Sequence, residues 1–361
     1  MNRIGTFQIA VMFCGCFLGA GFLSGNELWQ FFASFGLKGL IGCFISVLLI
    51  GVFCAFILEV SVMKGTENPE TVILPRRYHK SSLLFGALQA LIVFAIIVIM
   101  AAGSSTLTHN VLGINRNIVS IFFCSALCVF VLLGTERILG AFSVLIPFIA
   151  LSTVVIGLIV ICKNFNAFEI PDISGSGNKL LNNWVASSVA YLSYSVFSSV
   201  GVFAAVSQKI RSRKSIWFGM LTGSAVMCVM AMVIIFVIWS SKGAMTAELP
   251  MLSAAVNLGK LAGGVYSVLL FFGMFGAALS CYMSLGNYFR IKFALNRRSF
   301  RIVVLIIGGA AFFGSIFGFG DLVGTIYPIF GYLGIVVLIL LVINFIRLRK
   351  TKKTIDFSTK I

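Results

Sequence analysis

Long apolar runs alternate with short polar breaks along the chain, and a helix needs about 20 apolar residues to cross the hydrocarbon core of a bilayer. Ten such runs can be read, at roughly 6–35, 38–62, 82–112, 117–135, 138–162, 184–207, 214–240, 262–290, 301–319 and 322–346. They predict an all-α integral membrane protein with ten transmembrane helices, one polytopic domain over residues 1–361 that ends in a basic tail at 347–361.

Two of the runs are poor material for an uninterrupted helix. The first contains Gly15, Gly19, Gly21 and Gly25, followed by Asn26 and Glu27, and each interior glycine costs about 1 kcal/mol relative to alanine. Backbone that leaves the helix at membrane depth must find partners in protein or in a cavity, because lipid offers none. This stretch is therefore read as a break. The competing reading is a glycine face for close packing, since Gly15-xxx-Gly19 and Gly21-xxx-Gly25 both have small-xxx-small spacing.

The sixth run, Trp184 to Val206, carries Ser187, Ser188, Ser193, Ser195, Ser198 and Ser199 around Tyr191, Tyr194 and Phe197, then Gly201. A second discontinuous helix is expected here; serines bonded to their own helix carbonyls would instead give a merely polar face. Ten spans divide into two sets of five, repeat one at about 6–162 and repeat two at about 184–346. An odd number per half makes the repeats run in opposite directions. Interrupted segments at matching positions of two halves point to the binding site of a secondary transporter.

Composition removes most other classes. Of 361 residues, 60% are hydrophobic and 10% charged, which excludes an ordinary soluble domain. The formal net charge of +17 would suggest nucleic acid in a soluble protein, but here the basic residues occupy short loops, a pattern that orients membrane proteins. Arg3, Lys64, Arg76, Arg77, Lys80, Arg137, Lys209, Arg211, Arg213, Lys214, Arg290, Lys292, Arg297, Arg298, Arg301 and the tail fall on one side. Lys38, Arg116, Lys163, Lys179, Lys242 and Lys260 fall on the other. Both termini are expected in the cytoplasm of a multi-pass membrane protein, with a small solute and the lipid bilayer as partners and no nucleic acid. Arg3 before an apolar run also fits a signal peptide, yet nine further runs follow, so the N-terminus is expected to be kept.

The 9 cysteines sit in or at the ends of apolar runs without a CxxC pair, and there are 2 histidines. No HExxH, Walker loop or GxSxG elbow is present. An enzyme is not expected, nor is a cofactor. The loop between spans seven and eight has Pro250 near a helix start and Gly259 at its end, the signature of a short amphipathic lid. The loop 163–183, with Asp172 to Asn178, reads as a flexible connection without chemistry.

The opening Phe7-Gln8-Ile9-Ala10-Val11-Met12-Phe13-Cys14-Gly15-Cys16-Phe17-Leu18-Gly19-Ala20-Gly21-Phe22-Leu23-Ser24-Gly25-Asn26-Glu27 resembles the YkvI-like family of bacterial inner-membrane proteins, whose first span carries a similar GAGF-(A/S)-SG-(Q/N)-E signature. Length, span count and basic loops agree over the whole chain. That family looks like a branch of the amino acid-polyamine-organocation superfamily, which implies the five-plus-five inverted repeat of the LeuT fold. In sodium-coupled members of that fold, carbonyls of the span-one break and an A-x-x-(S/T)-(S/T) pattern in span eight hold one cation. The resemblance places Gly15 and Leu18 in the first role, and Ala277 and Ser280 in the second. Cys281 departs from the pattern, since a thiol suits a hard cation poorly. Ser280 bonded to its own helix is the plain alternative.

The same resemblance puts a substrate carboxylate against the amides of Gly19, Ala20, Gly21, Phe22 and Ser24, with Tyr194, Phe197 and Ser198 contributed by span six. Ser105, Thr106 and Thr108 are weaker candidates. Glu27 has three readings: a cap in a Ser24-Gly25-Asn26-Glu27 box, a proton or cation carrier, or a contact for a substrate ammonium. Glu59 is expected at the interface or paired with Lys64. Together these readings predict an alternating-access transporter of a small polar metabolite, an amino acid or related zwitterion, coupled to Na⁺ or H⁺. The alternatives are a transporter-like nutrient sensor such as a germinant-receptor subunit, a channel, and, last, a membrane enzyme.

Overall fold

The computed structural model of the chain describes residues 4–74, 79–133, 136–171 and 178–351. The expected flexible loop at Asp172 to Asn178 and the end of the basic tail lie largely outside these residues. Among the described residues the fold is helical throughout, with one isolated parallel bridge between Ile4 and Ile210.

The helices are α1 (Thr6–Phe17), α2 (Ala20–Ser24), α3 (Asn26–Phe31), α4 (Gly36–Lys64), α5 (Pro69–Ile73), α6 (His79–Leu112), α7 (Arg116–Leu132), α8 (Glu136–Lys163), α9 (Trp184–Val206), α10 (Arg213–Ser240), α11 (Lys242–Met245), α12 (Pro250–Leu258), α13 (Lys260–Lys292), α14 (Arg297–Ser315) and α15 (Phe319–Thr351). Their starts follow the sequence chemistry. Asn115, Asn183, Ser212 and Asn296 each accept an amide of the first turn of α7, α9, α10 and α14, which satisfies a donor that the helix leaves free. The expected lid is α12, with Pro250 in its first turn and Gly259 at its end.

Eight helical stretches are long and apolar enough to cross a membrane, while Thr6–Phe17 and Arg116–Leu132 are shorter apolar helices. α9 forms the core: 72% of its central window is buried, against 28% for the α8 and α14 windows, which face outward. Glycines let neighbours close on it. A Cβ at Gly334 of α15 would lie 2.6 Å from the carbonyl oxygen of Ser193, so only a residue without one permits this approach.

The first apolar run is broken more often than its glycines suggest. α1 ends at Phe17, and the amide of Gly19 turns back to the Phe17 carbonyl at 2.8 Å. The chain resumes as α2, stops again at Gly25 in the left-handed region (φ 85°), continues as α3, and reaches α4 through a 3-10 turn at Ala33–Phe35.

The sixth run corrects the expectation of a second discontinuous helix, because α9 is continuous from Trp184 to Val206. Its serines explain why: Ser188 donates to Trp184 O at 2.7 Å, Ser193 to Val189 O at 2.6 Å and Ser199 to Val196 O at 2.9 Å. These three hydroxyls meet their need on the helix's own carbonyls, so they do not interrupt the ladder. α15 holds an interior proline instead, Pro328. That residue has no amide for Gly324 O, and Asn178 Nδ2 supplies the donor at 2.7 Å.

Candidate functional site

The breaks in the first run release backbone groups, and side chains of other helices capture them. Tyr266 of α13 donates its hydroxyl to Leu23 O at 2.6 Å, Ser187 of α9 donates to Phe31 O at 2.6 Å, and Trp239 Nε1 of α10 donates to Ala33 O at 3.0 Å. Such capture is what permits irregular backbone among buried helices. One amide is less well served: Ala20 N meets the thioether of Met100 at 3.2 Å, a weak acceptor.

Gly19, Ala20, Gly21, Phe22 and Ser24 are all buried at this junction, as is Glu27. Glu27 is 4% exposed, and its Oε2 accepts the Tyr194 hydroxyl at 2.7 Å. Its carboxylate folds back over α2, so that a Cβ at Gly21 would lie 2.1 Å from Oε1. Tyr194 stacks on Tyr327 of α15 with centroids 4.6 Å apart and planes at 8°, and meets Tyr191 edge-on at 5.3 Å. Phe31 packs against both α9 tyrosines. Among the described residues no lysine or arginine forms an ion pair with Glu27.

The cap reading of Glu27 is not what forms. Ser24 Oγ accepts the Asn26 amide at 3.3 Å and donates to Gly21 O, but Glu27 goes to Tyr194 rather than back to the Ser24 amide. Only the tertiary approach of α9 makes that partner available.

Phe197 is buried but belongs to another cluster, with Phe85 of α6 at 5.6 Å and Phe330 of α15 at 6.4 Å. Ser198 lies beside it: its hydroxyl donates to Ser195 O at 2.9 Å and its carbonyl accepts Gln89 Nε2 at 3.2 Å. Ser105 and Thr108 bond back to their own helix.

The four residues assigned to a cation come together in part. The amides that would ordinarily reach the carbonyls of Gly15 and Cys16 are turned elsewhere, Gly19 N to Phe17 O and Ala20 N to Met100 Sδ. Gly15 packs against Ile146 of α8, while Leu18 O lies 3.9 Å from the Cβ position of Gly273 on α13. Gly273 is one turn before Ala277. Ser280 donates to Gly276 O at 2.9 Å, so its proton is committed to its own helix.

The other two buried acids, Glu59 and Glu70, have basic partners. Glu59, wholly buried, receives Arg213 at 2.6 Å, Arg349 at 3.3 Å and Trp217 Nε1 at 2.6 Å. It does not pair with Lys64, whose Nζ donates to Thr71 O and Val72 O. Glu70, on α5, receives Lys292 at 2.6 Å, Ser82 at 2.9 Å and Tyr288 at 3.0 Å. Burial acts to raise its pKa, yet those hydrogen bonds outweigh it and hold the carboxyl below its ordinary range. Sequence reading missed this cluster, for which no local signal exists. At the opposite end of the bundle Asn26 Nδ2 donates to Glu248 O at 3.0 Å, Gln30 donates to Asn26 at 2.6 Å and Asn178 donates to Gln30 at 2.9 Å. A groove of about 520 Å³ beside Phe148, Lys260 and Val265 shares no residue with this region.

No protein-family model matches the chain. The uncharacterized membrane protein YkvI of Bacillus subtilis (strain 168) is a homologue, 21% identical over 337 residues that cover 91% of this chain and 92% of the relative. Among solved structures, MhsT in complex with L-phenylalanine superposes with a TM-score of 0.68 at 12% identity, covering 100% of this chain and 95% of that one. The chain has the LeuT fold. A Na⁺-coupled sialic acid symporter gives a TM-score of 0.67 at 12% identity over 92% of this chain and 76% of its own, and Mhp1, a nucleobase-cation-symport-1 family transporter, gives 0.58 at 11% over 85% and 71%. In LeuT folds, substrate and ion sites are built near the bilayer midplane from unwound helix segments. Among the described residues, the α1–α2–α3 junction is an interrupted stretch of helix.

Proposed function

We propose that the chain is an alternating-access secondary transporter of a small polar metabolite, an amino acid or a related zwitterion, coupled to Na⁺ or H⁺. The observation that carries this reading is the interrupted α1–α3 run, buried against α9 and α13 in a fold whose solved relatives are transporters. α1 with α2 and α3 counts as one crossing and α7 as another, which gives ten spans in two oppositely directed sets of five, with both termini on the basic, cytoplasmic side.

A zwitterion matches an unmet need at the junction, since its carboxylate is a stronger acceptor for the Ala20 amide than the Met100 thioether. Tyr194 closes over it from α9. The carbonyls of Gly15 and Leu18, with Ala277 and Ser280, form a Na⁺ candidate. That MhsT is seen with L-phenylalanine and that the sialic acid symporter is Na⁺-coupled support the substrate class and the type of coupling.

Reconstituted protein tests the proposal. Uptake from a panel of radiolabelled amino acids, driven by an imposed Na⁺ or pH gradient, is the expected result. Ligand-induced thermal stabilisation without accumulation would give the nutrient-sensor reading instead.

A further inference from the structure

Glu27 is set apart from the other buried acids and from Glu248. Glu59 meets two arginines, Glu70 meets Lys292, and Glu248 lies 3.8 Å from Arg116. Glu27 meets a phenol. The titratable groups that face it are Tyr191 and Tyr194 on α9 and Tyr327 on α15, with Cys43 of α4 behind Tyr191 and Tyr266 of α13 at the neighbouring Leu23 carbonyl. Ile234 and Ile238 of α10 and Pro250 of α12 close on Gly25, two residues before Glu27. No cationic side chain among the described residues offsets the charge that a carboxylate would bring into this setting, and an uncompensated buried charge costs several kcal/mol.

The packing also limits what can offset it. Oε2 is taken by the Tyr194 hydroxyl, and Oε1 lies against the bare α-carbon of Gly21, within 2.1 Å of where a Cβ would stand. With the rings of Tyr194 and Tyr327 stacked above, the closed arrangement admits a proton on Oε1 but not an ammonium group between carboxylate and backbone.

We propose that Glu27 is the proton carrier of the transport cycle, so that the coupling ion is H⁺: the Glu27 carboxylate takes a proton from water on one side of the membrane, crosses the closed state as the acid, and returns the proton to water on the other. The proposal rests on the transporter reading. On the first side an O–H bond of a hydronium ion breaks as the Oε1–H bond forms and a water molecule leaves, the α3–α9–α15 contact then closes over the acid, and on the other side the Oε1–H bond breaks as the proton returns to water as hydronium.

Two measurements test it. Infrared spectra of the purified protein at neutral pH are expected to contain the carbonyl-stretch band of a protonated carboxylic acid, absent in Glu27→Gln and present in Glu59→Gln. Persistence of the band in Glu27→Gln, or its absence from the native protein, overturns the proposal without touching the transporter reading. In Na⁺-free proteoliposomes, a mixture of radiolabelled L-amino acids is expected to accumulate about tenfold per unit of imposed pH gradient for one proton per cycle. Glu27→Gln is expected to bring that ratio to about one and to make amino acid exchange independent of pH. Accumulation that needs Na⁺ and ignores the pH gradient overturns the proton assignment and leaves the transporter standing; no accumulation under any gradient overturns both.

Discussion

The hydroxyl of Tyr266 donates to the carbonyl of Leu23 at 2.6 Å, joining the second turn of α13 to the short helix that Gly25 brings to an end. The carbonyl is buried, and removing its donor leaves it unsatisfied, at a cost of about 1–3 kcal/mol. Tyr266→Phe is therefore expected to lower the melting temperature in detergent, whereas Tyr332→Phe, which removes a hydroxyl from an exposed bond to Leu180 O, should change it much less. Thermal unfolding of the two variants side by side is the check.

Gly21→Ala probes the niche that holds Glu27. The new methyl would overlap the glutamate side chain, 2.1 Å from Oε1 and 2.4 Å from Cγ, and would push the carboxylate off Tyr194. Loss of uptake with a monodisperse, folded protein is expected. Gly309→Ala, with nothing within 4 Å of its Cβ, should keep uptake and gain up to about 1 kcal/mol from helix propensity. Equal uptake in the two variants would mean that the niche plays no part in transport.

Glu27→Gln and Glu59→Gln are expected to fail in different ways. Glu59 joins α4 to Arg213 of α10 and Arg349 of α15, so its neutralisation leaves two guanidinium groups without a carboxylate and should lower thermal stability more than uptake. Glu27→Gln should lower uptake more than stability. A parallel loss of both properties in both variants would remove the distinction.

Acid should loosen the contact between α5 and α13. The pKa of Glu70 in the folded protein lies below its ordinary value of 4.5, so its stabilising contribution is complete above that ordinary value and is lost as pH falls through the lower, folded one. Between neutral pH and pH about 3 the melting temperature of the native protein is expected to fall more than that of Glu70→Gln, which lacks this contribution at every pH. Matching slopes in thermal scans across that range would dissociate Glu70 from the acid response.

The chain pattern made much of this legible. Apolar runs located every long helix to within a few residues, Pro250 and Gly259 marked the start and end of the short helix α12, and the glycines around residue 19 located the first break. The continuity of α9 was not legible, because six serines in one run are equally compatible with an interrupted helix and with hydroxyls bonded to their own carbonyls, and only the observed bonds choose between the two.

By itself, then, the sequence determined the membrane-embedded helical class and the interruption near Gly19, since both follow from hydropathy and backbone propensity acting over neighbouring residues. Tertiary structure alone decided that Glu27 meets Tyr194 rather than capping its own helix, that Phe197 faces Phe85 and Phe330, and that Glu59 meets Arg213 and Arg349. Those pairings join residues more than 100 positions apart, and they are set by which helices pack together, which no local pattern encodes.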